Sequence, residues 1–311
     1  MPERASGKEW SGVRAPDRDE GEIRRTRPAG VPLSRCAALA CVLVASLYAG
    51  ARGAEHPVWA AATPARVGVP SPCAIPALHL RCPDLIMSAP SQLRLDRTTI
   101  PGRVLLRAAS SINNRGRGPL ELRARRLGRH RWLVYQALYD QRGRPHLFRT
   151  ASRLIFKFVP GDRYGYGSVG AASYWKVRHV AAFELWSVGA RLVALKRVRT
   201  GPKLDYCLRD LFRTDPSALS PSEAVYPACS QDPAITTDTL GTSVGWSDVY
   251  PYDYPEQWID VTGLRGRFAF VMRPDPDRLF VDSGRGNDLS ETYLALPSGR
   301  VLGHRVAVGA P

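Results

Sequence analysis

The side chains able to do chemistry in this chain narrow the options quickly. Six histidines (His56, His79, His130, His146, His179, His304) are spread along 311 residues, no two within one helical turn of each other. A metal cluster built from neighbouring histidines is therefore excluded. The chain has no Gly-rich phosphate loop, no GxSxG elbow and no HExxH helix motif. Asp275 and Asp277 form a carboxylate pair inside Pro274 to Asp277 (PDPD), where aspartate favours β-turn geometry over acid–base work. Six cysteines remain: Cys36, Cys41, Cys73, Cys82, Cys207 and Cys229. Their chemistry depends on where the chain resides.

The N-terminal segment bears on that question. Cys36 to Ala49 is a run of fourteen residues, apolar but for Ser46, preceded by Arg24, Arg25, Arg27 and Arg35 and followed by the small-residue stretch Gly50 to Ala54. A membrane span needs roughly 20 residues, whereas this length suits the h-region of a secretory signal. We therefore expect an exported protein, secreted or held at the cell surface, with no stable membrane span after cleavage. Cys36 and Cys41 leave with the signal. Cys73, Cys82, Cys207 and Cys229 are then an even set in an oxidising compartment, which favours disulfides. The local pairs Cys73–Cys82 and Cys207–Cys229 are the simplest of three connectivities. A four-thiolate zinc site would prefer CxxC spacing, which is absent.

The elements that must position any site read as strands. Hydrophobic residues make up 44% of the chain and charged residues 23%, enough apolar material for a real core. Period-2 alternation marks Val104 to Ile112, Trp132 to Tyr139, Leu154 to Val159, Ala181 to Val188, Gln257 to Val261 and Arg267 to Met272. In Leu154 to Val159 it places Leu154, Phe156 and Phe158 on one face. Turn chemistry separates the strands at Asn113 to Gly116, Asp140 to Gly143, Pro160 to Asp162, Pro274 to Asp277 and Pro297 to Gly299. No window carries a 3.6-residue apolar stripe. The expectation is an all-β, antiparallel β-sandwich. It occupies residues 77–311, after a charged extension plus signal peptide at 1–54 and a Pro/Ala-rich linker at 55–76.

Net charge is +16, from 44 basic and 28 acidic residues. Only Lys8, Lys157, Lys176, Lys196 and Lys203 are lysine, and the remaining basic residues are arginine. The arginines are scattered, with neither a basic helix nor an aromatic platform, so no nucleic-acid partner is expected. Attraction to an anionic envelope is a weaker reading, testable by salt-dependent retention.

Four stretches resemble the lysyl oxidase family in its bacterial form. Cys82 to Ile86 (CPDLI), Arg103 to Arg107 (RVLLR) and Gly116 to Leu122 (GRGPLEL) are similar to its opening strands. Trp175 to Trp186 (WKVRHVAAFELW) resembles the segment after its copper motif. Gly201 to Asp210 (GPKLDYCLRD) is similar to its Gly-x-Lys-x-x-aromatic-Cys-Leu-x-Asp block. Val244 to Tyr250 (VGWSDVY), with Gln257 to Thr262 (QWIDVT), is similar to its Asp-x-Tyr-x₆-Gln-Trp-Ile-Asp-x-Thr block. The last two are the most specific, and together the stretches span Cys82 to Leu296.

The resemblance implies a sandwich of lysyl oxidase-like type. In that family a lysine and a tyrosine cross-link, with copper and oxygen, into a lysyl tyrosylquinone that deaminates primary amines such as peptidyl lysine. The matching positions are Lys203 and Tyr250, which the resemblance makes both cofactor precursors and catalytic residues. With five lysines in the chain, coincidence at that position is improbable. The family's copper motif, His-x-His-x-His, falls on Ala172/Tyr174/Lys176 or, one residue earlier, on Ala171/Ser173/Trp175. Neither register holds a histidine, and copper(II) requires imidazoles there. Two readings follow. One is a degenerate domain that binds or scaffolds at the cell surface, with Lys203 and Tyr250 unmodified and no metal site. The other is an active copper- and quinone-dependent amine oxidase using unusual ligands such as His179 and Tyr174 on an extracellular protein or amine. Asp248 and Asp260 both lie in the matching block as candidates for a general base.

Overall fold

The computed structural model describes residues 71–160, 171–189 and 191–306. The leader read at 1–54, most of the linker and the turn residues Gly161 and Asp162 lie outside them. The strands in chain order begin with β1 (Leu80–Arg81), β2 (Leu85–Met87), β3 (Ser91–Asp96), β4 (Leu105–Asn114), β5 (Leu120–Gly128) and β6 (Arg131–Asp140). Then come β7 (Pro145–Arg149), β8 (Leu154–Val159), β9 (Ala172–Val177), β10 (Ala181–Val188), β11 (Ala194–Thr200) and β12 (Phe212–Arg213). The last are β13 (Thr237–Thr242), β14 (Trp246–Tyr250), β15 (Trp258–Asp260), β16 (Gly266–Pro274), β17 (Ser290–Leu296) and β18 (Arg300–Val306). Two short 3₁₀ turns, Pro72–Ala74 and Pro76–Leu78, are the only helical elements among the described residues. None of these is long and apolar enough to cross a membrane.

The protein is all-β, and every strand pairing is antiparallel. One sheet runs β1-β6-β5-β13 with β7 beside β6; a second runs β11-β10-β16-β17-β18. A third is gathered around β4, which pairs with β14, β15, β2 and β3, and β8 with β9 forms a two-stranded ribbon. The alternation read for Leu154–Val159 and Ala181–Val188 coincides with β8 and β10. In the second sheet it divides the strands between two cores. Phe183, Leu185, Phe268, Phe270, Met272 and Leu294 face the main core, while Val188, Ala269, Val271 and Tyr293 form a smaller cluster.

Phe158 departs from expectation. It shares the face of Leu154 and Phe156 but is 63% exposed, because it sits near the far end of the narrow ribbon opposite Ser173. Asn113 and Asn114, read as a turn, instead end β4. The Asn114 amide donates to Gly118 O (3.0 Å) and Thr242 O (2.9 Å), standing in for backbone partners as the chain bends away. Among the described residues the turns at Asp140 to Gly143 and Pro297 to Gly299 form as read: Gly143 (φ +77°) turns β6 into β7, and Gly299 (φ +74°) turns β17 into β18. Asp275 caps its turn by accepting from the Leu279 (2.6 Å) and Phe280 (3.1 Å) amides. Both expected disulfides are present, Cys73–Cys82 and Cys207–Cys229, with Cα separations of 6.0 and 5.9 Å. Cys73, placed by sequence in the linker, is thereby tied to the domain.

Candidate functional site

β11 leads into the extended segment 201–211, which is threaded between neighbours by backbone bonds. Gly201 N–H donates to Phe183 O (2.9 Å), and Tyr206 exchanges bonds with Val177 (2.8 and 3.1 Å) at the end of β9. Leu211 N–H donates to Ser247 O (3.0 Å) of β14. The passage is tight at Gly201, where a Cβ would stand 2.6 Å from Trp258 O. The glycine two residues before Lys203 is thus a packing requirement.

That threading carries Lys203 into the core, fully buried. Its Nζ lies 3.7 Å from the Tyr250 ring centroid, 4.2 Å from that of Tyr206 and 4.6 Å from that of Tyr254. The rings meet edge to face, Tyr206–Tyr250 at 4.9 Å and Tyr250–Tyr254 at 4.7 Å, so the lysine occupies a three-tyrosine cage. Its one hydrogen bond among the described residues goes to Asp205 O (3.0 Å). Burial, seconded by the charge of Lys176, holds its pKa well below the ordinary lysine value. The two residues singled out by sequence are therefore in direct contact.

Two further charges adjoin the cage. Asp248, fully buried, accepts from the Leu208 amide (3.2 Å) and the Tyr250 hydroxyl (3.3 Å), while its Oδ1 has no partner among the described residues. Burial pushes its pKa up to about 6 against the lowering pull of Arg209 and Lys203. Burial and the Asp248 charge keep Tyr250 a neutral phenol. Asp260, the other base candidate, sits apart in a partly exposed pair with Arg103 (2.8 Å) and caps Thr262. Lys176 is fully buried and donates to the Tyr254 hydroxyl (2.8 Å), which in turn is hydrogen-bonded to Tyr174. Burial pulls its pKa down to about 8. Lys157 bridges Asp205 (3.0 Å) and Glu256, locking the ribbon to the segments on either side of the cage.

β9 alternates, and its two faces separate the two copper-motif registers. Tyr174 and Lys176 face the cage. Trp175 turns the other way, donating to Asp232 O (2.9 Å) and packing on Trp132 (4.8 Å) and Phe156 (5.2 Å). The cage-side set Ala172/Tyr174/Lys176 does not fit copper. It offers no imidazole, and Lys176 brings a buried ammonium bonded to a tyrosine. His179 lies in the turn beyond β9 (φ +57°), its Nδ1 paired with Asp277 (2.9 Å) at the surface, whereas Tyr174 bonds to Tyr254. The structure thus gives these two proposed ligands separate partners. Among the described residues no three His, Cys, Asp or Glu side chains are grouped to hold a metal.

Over the cage opens a cavity of about 640 Å³, walled by Tyr174, Tyr250, Tyr254, Arg209 and the Cys207–Cys229 disulfide. Sequence reasoning missed Tyr206, Tyr254 and Arg209 as site residues, and saw Lys176 only as a missing histidine. Tyr206 and Arg209 lie inside the Gly201 to Asp210 block, and Tyr254 follows Tyr250 by four residues, so only their aromatic and basic character could have pointed to them. Comparison with protein-family models finds no match, and comparison with curated proteins finds none either.

Proposed function

We propose that this protein is an exported lysyl oxidase-like domain, an antiparallel β-sandwich of that type, which binds at the cell surface without oxidising amines. The observation that carries the reading is Lys176. At the position where the family would set a metal-binding imidazole, this chain buries an ammonium against Tyr254. A cation there repels a second cation, and Ala172 and Tyr174 supply no compensating ligand. The two disulfides support an oxidising compartment.

One observation favours the active alternative: the Lys203 nitrogen lies 3.7 Å from the Tyr250 ring centroid, close enough for the pair to be cofactor precursors. Intact mass and metal content of the protein, after growth with copper, separate the two. We expect the mass of the disulfide-bonded chain without a Lys203–Tyr250 cross-link, no stoichiometric copper, and no peroxide on adding an alkyl amine. A cross-linked, redox-cycling protein that releases peroxide would overturn the proposal.

A further inference from the structure

The cavity over the tyrosine cage has a charge pattern opposite to what an amine would require. Arg209 is the one charged residue among its described lining residues, which include no aspartate or glutamate. The Arg209 Nε is buried and has no hydrogen-bond partner among the described residues. The Arg209 side chain as a whole is only partly buried and lines the cavity, so an anion entering there gains a charge-assisted partner in its guanidinium. Behind the tyrosine wall lie Lys176 and Lys203, both fully buried. Of the nearby carboxylates, Asp205 and Glu256 pair with Lys157, while Asp248, beneath Tyr250, lies within reach of the Arg209 charge but does not line the cavity. An alkylammonium entering the cavity would meet Arg209, with no carboxylate among the described lining residues to receive it.

The rest of the wall is apolar. Leu211, Phe212, Val249 and Pro251 face the cavity together with the disulfide and the Tyr250 and Tyr254 rings. Its volume falls within the range of small-molecule sites. We propose that the cavity binds a small organic anion, its carboxylate on Arg209 and its flat apolar body between the tyrosine rings and the Leu211–Phe212 edge. This rests on reading the site as a non-oxidising binding pocket, and it names the class of ligand that pocket takes.

The test is a charge series of equal shape, measured by calorimetry on the full disulfide-bonded protein: benzoate, benzyl alcohol and benzylamine, with inorganic phosphate as a fourth probe. Benzoate should bind at least about tenfold more tightly than benzyl alcohol, and benzylamine should not bind. Arg209→Gln should abolish the preference for benzoate over the alcohol. Phe212→Ala, at an exposed position where folding is not at risk, should weaken benzoate and benzyl alcohol alike. No benzoate binding into the millimolar range, or benzylamine binding as well as benzoate, would overturn the proposal. Phosphate matching benzoate would overturn its apolar half. A Lys203–Tyr250 cross-link in the intact mass of the same preparation would sink the non-oxidising reading instead, while the charge series still decides the anion preference.

Discussion

Replacing Lys176 with methionine tests the site's electrostatics without removing much volume. The ammonium is fully buried beside Tyr254, and burial holds its pKa down to about 8, against 10.5 for an ordinary lysine. The folded protein therefore releases this proton before the unfolded chain does. Between pH 8 and 10.5 the unfolded state binds more protons, so the Lys176 contribution makes stability rise with pH in that window. Complete passage through it corresponds to roughly 3 kcal/mol, of which about 2.5 kcal/mol is realised between pH 7 and pH 10. Methionine does not titrate, so the stability of the parent minus that of Lys176→Met should increase by this amount over the same range. The assay is urea unfolding followed by tryptophan fluorescence, disulfides intact, at pH 7, 8, 9 and 10. A difference that stays flat across the series would refute the burial of a charged Lys176, and with it the electrostatic case against copper.

Three other outcomes are expected. Cys207→Ser and Cys229→Ser should destabilise alike, each by roughly 2–5 kcal/mol in chemical unfolding; clearly unequal losses would argue against a shared bond. Gly201→Ala should cost about 1–3 kcal/mol, because the added methyl meets the Trp258 carbonyl at 2.6 Å and the Phe183 and Ile259 side chains at 3.2 Å; an unchanged melting temperature contradicts that tight passage. Arg107 and Asp96 pair at 2.7 Å with side chains only 4% and 7% exposed, so Arg107→Met should lose roughly 3–5 kcal/mol. The double variant Arg107→Met/Asp96→Leu should recover part of that loss, and a double variant as unstable as the single one would place the effect in packing instead.

What the sequence made legible follows from how each element is buried. β8 and β10 could be read residue by residue because one face meets the core and alternation survives. β14 could not: Ser247 and Asp248 are both fully buried, since Ser247 bonds to Asn113 and Asp248 takes the Leu208 amide, and internal bonds of this kind erase the polar-out signal. β11 is an edge strand with Lys196, Arg197 and Arg199 in its seven residues, so its apolar positions are few. The sequence blocks singled out Lys203 and Tyr250, and the fold brings the two into contact. The Lys176–Tyr254 bond joins residues 78 apart, and the orphaned Arg209 Nε is defined by what surrounds it. Such features exist only in the folded chain and leave no local pattern.

The Cys207–Cys229 bridge adds a chemical requirement to this picture. Cys207 follows Tyr206 of the cage directly, and both sulfurs form part of the cavity wall. Strand pairing and core packing need only water and time, but this wall needs an oxidant. The sheets are held by non-covalent pairing, whereas this part of the cavity wall is closed by a covalent bond. Closing that last part of the wall takes two electrons from Cys207 and Cys229, a step that burial of apolar surface cannot perform.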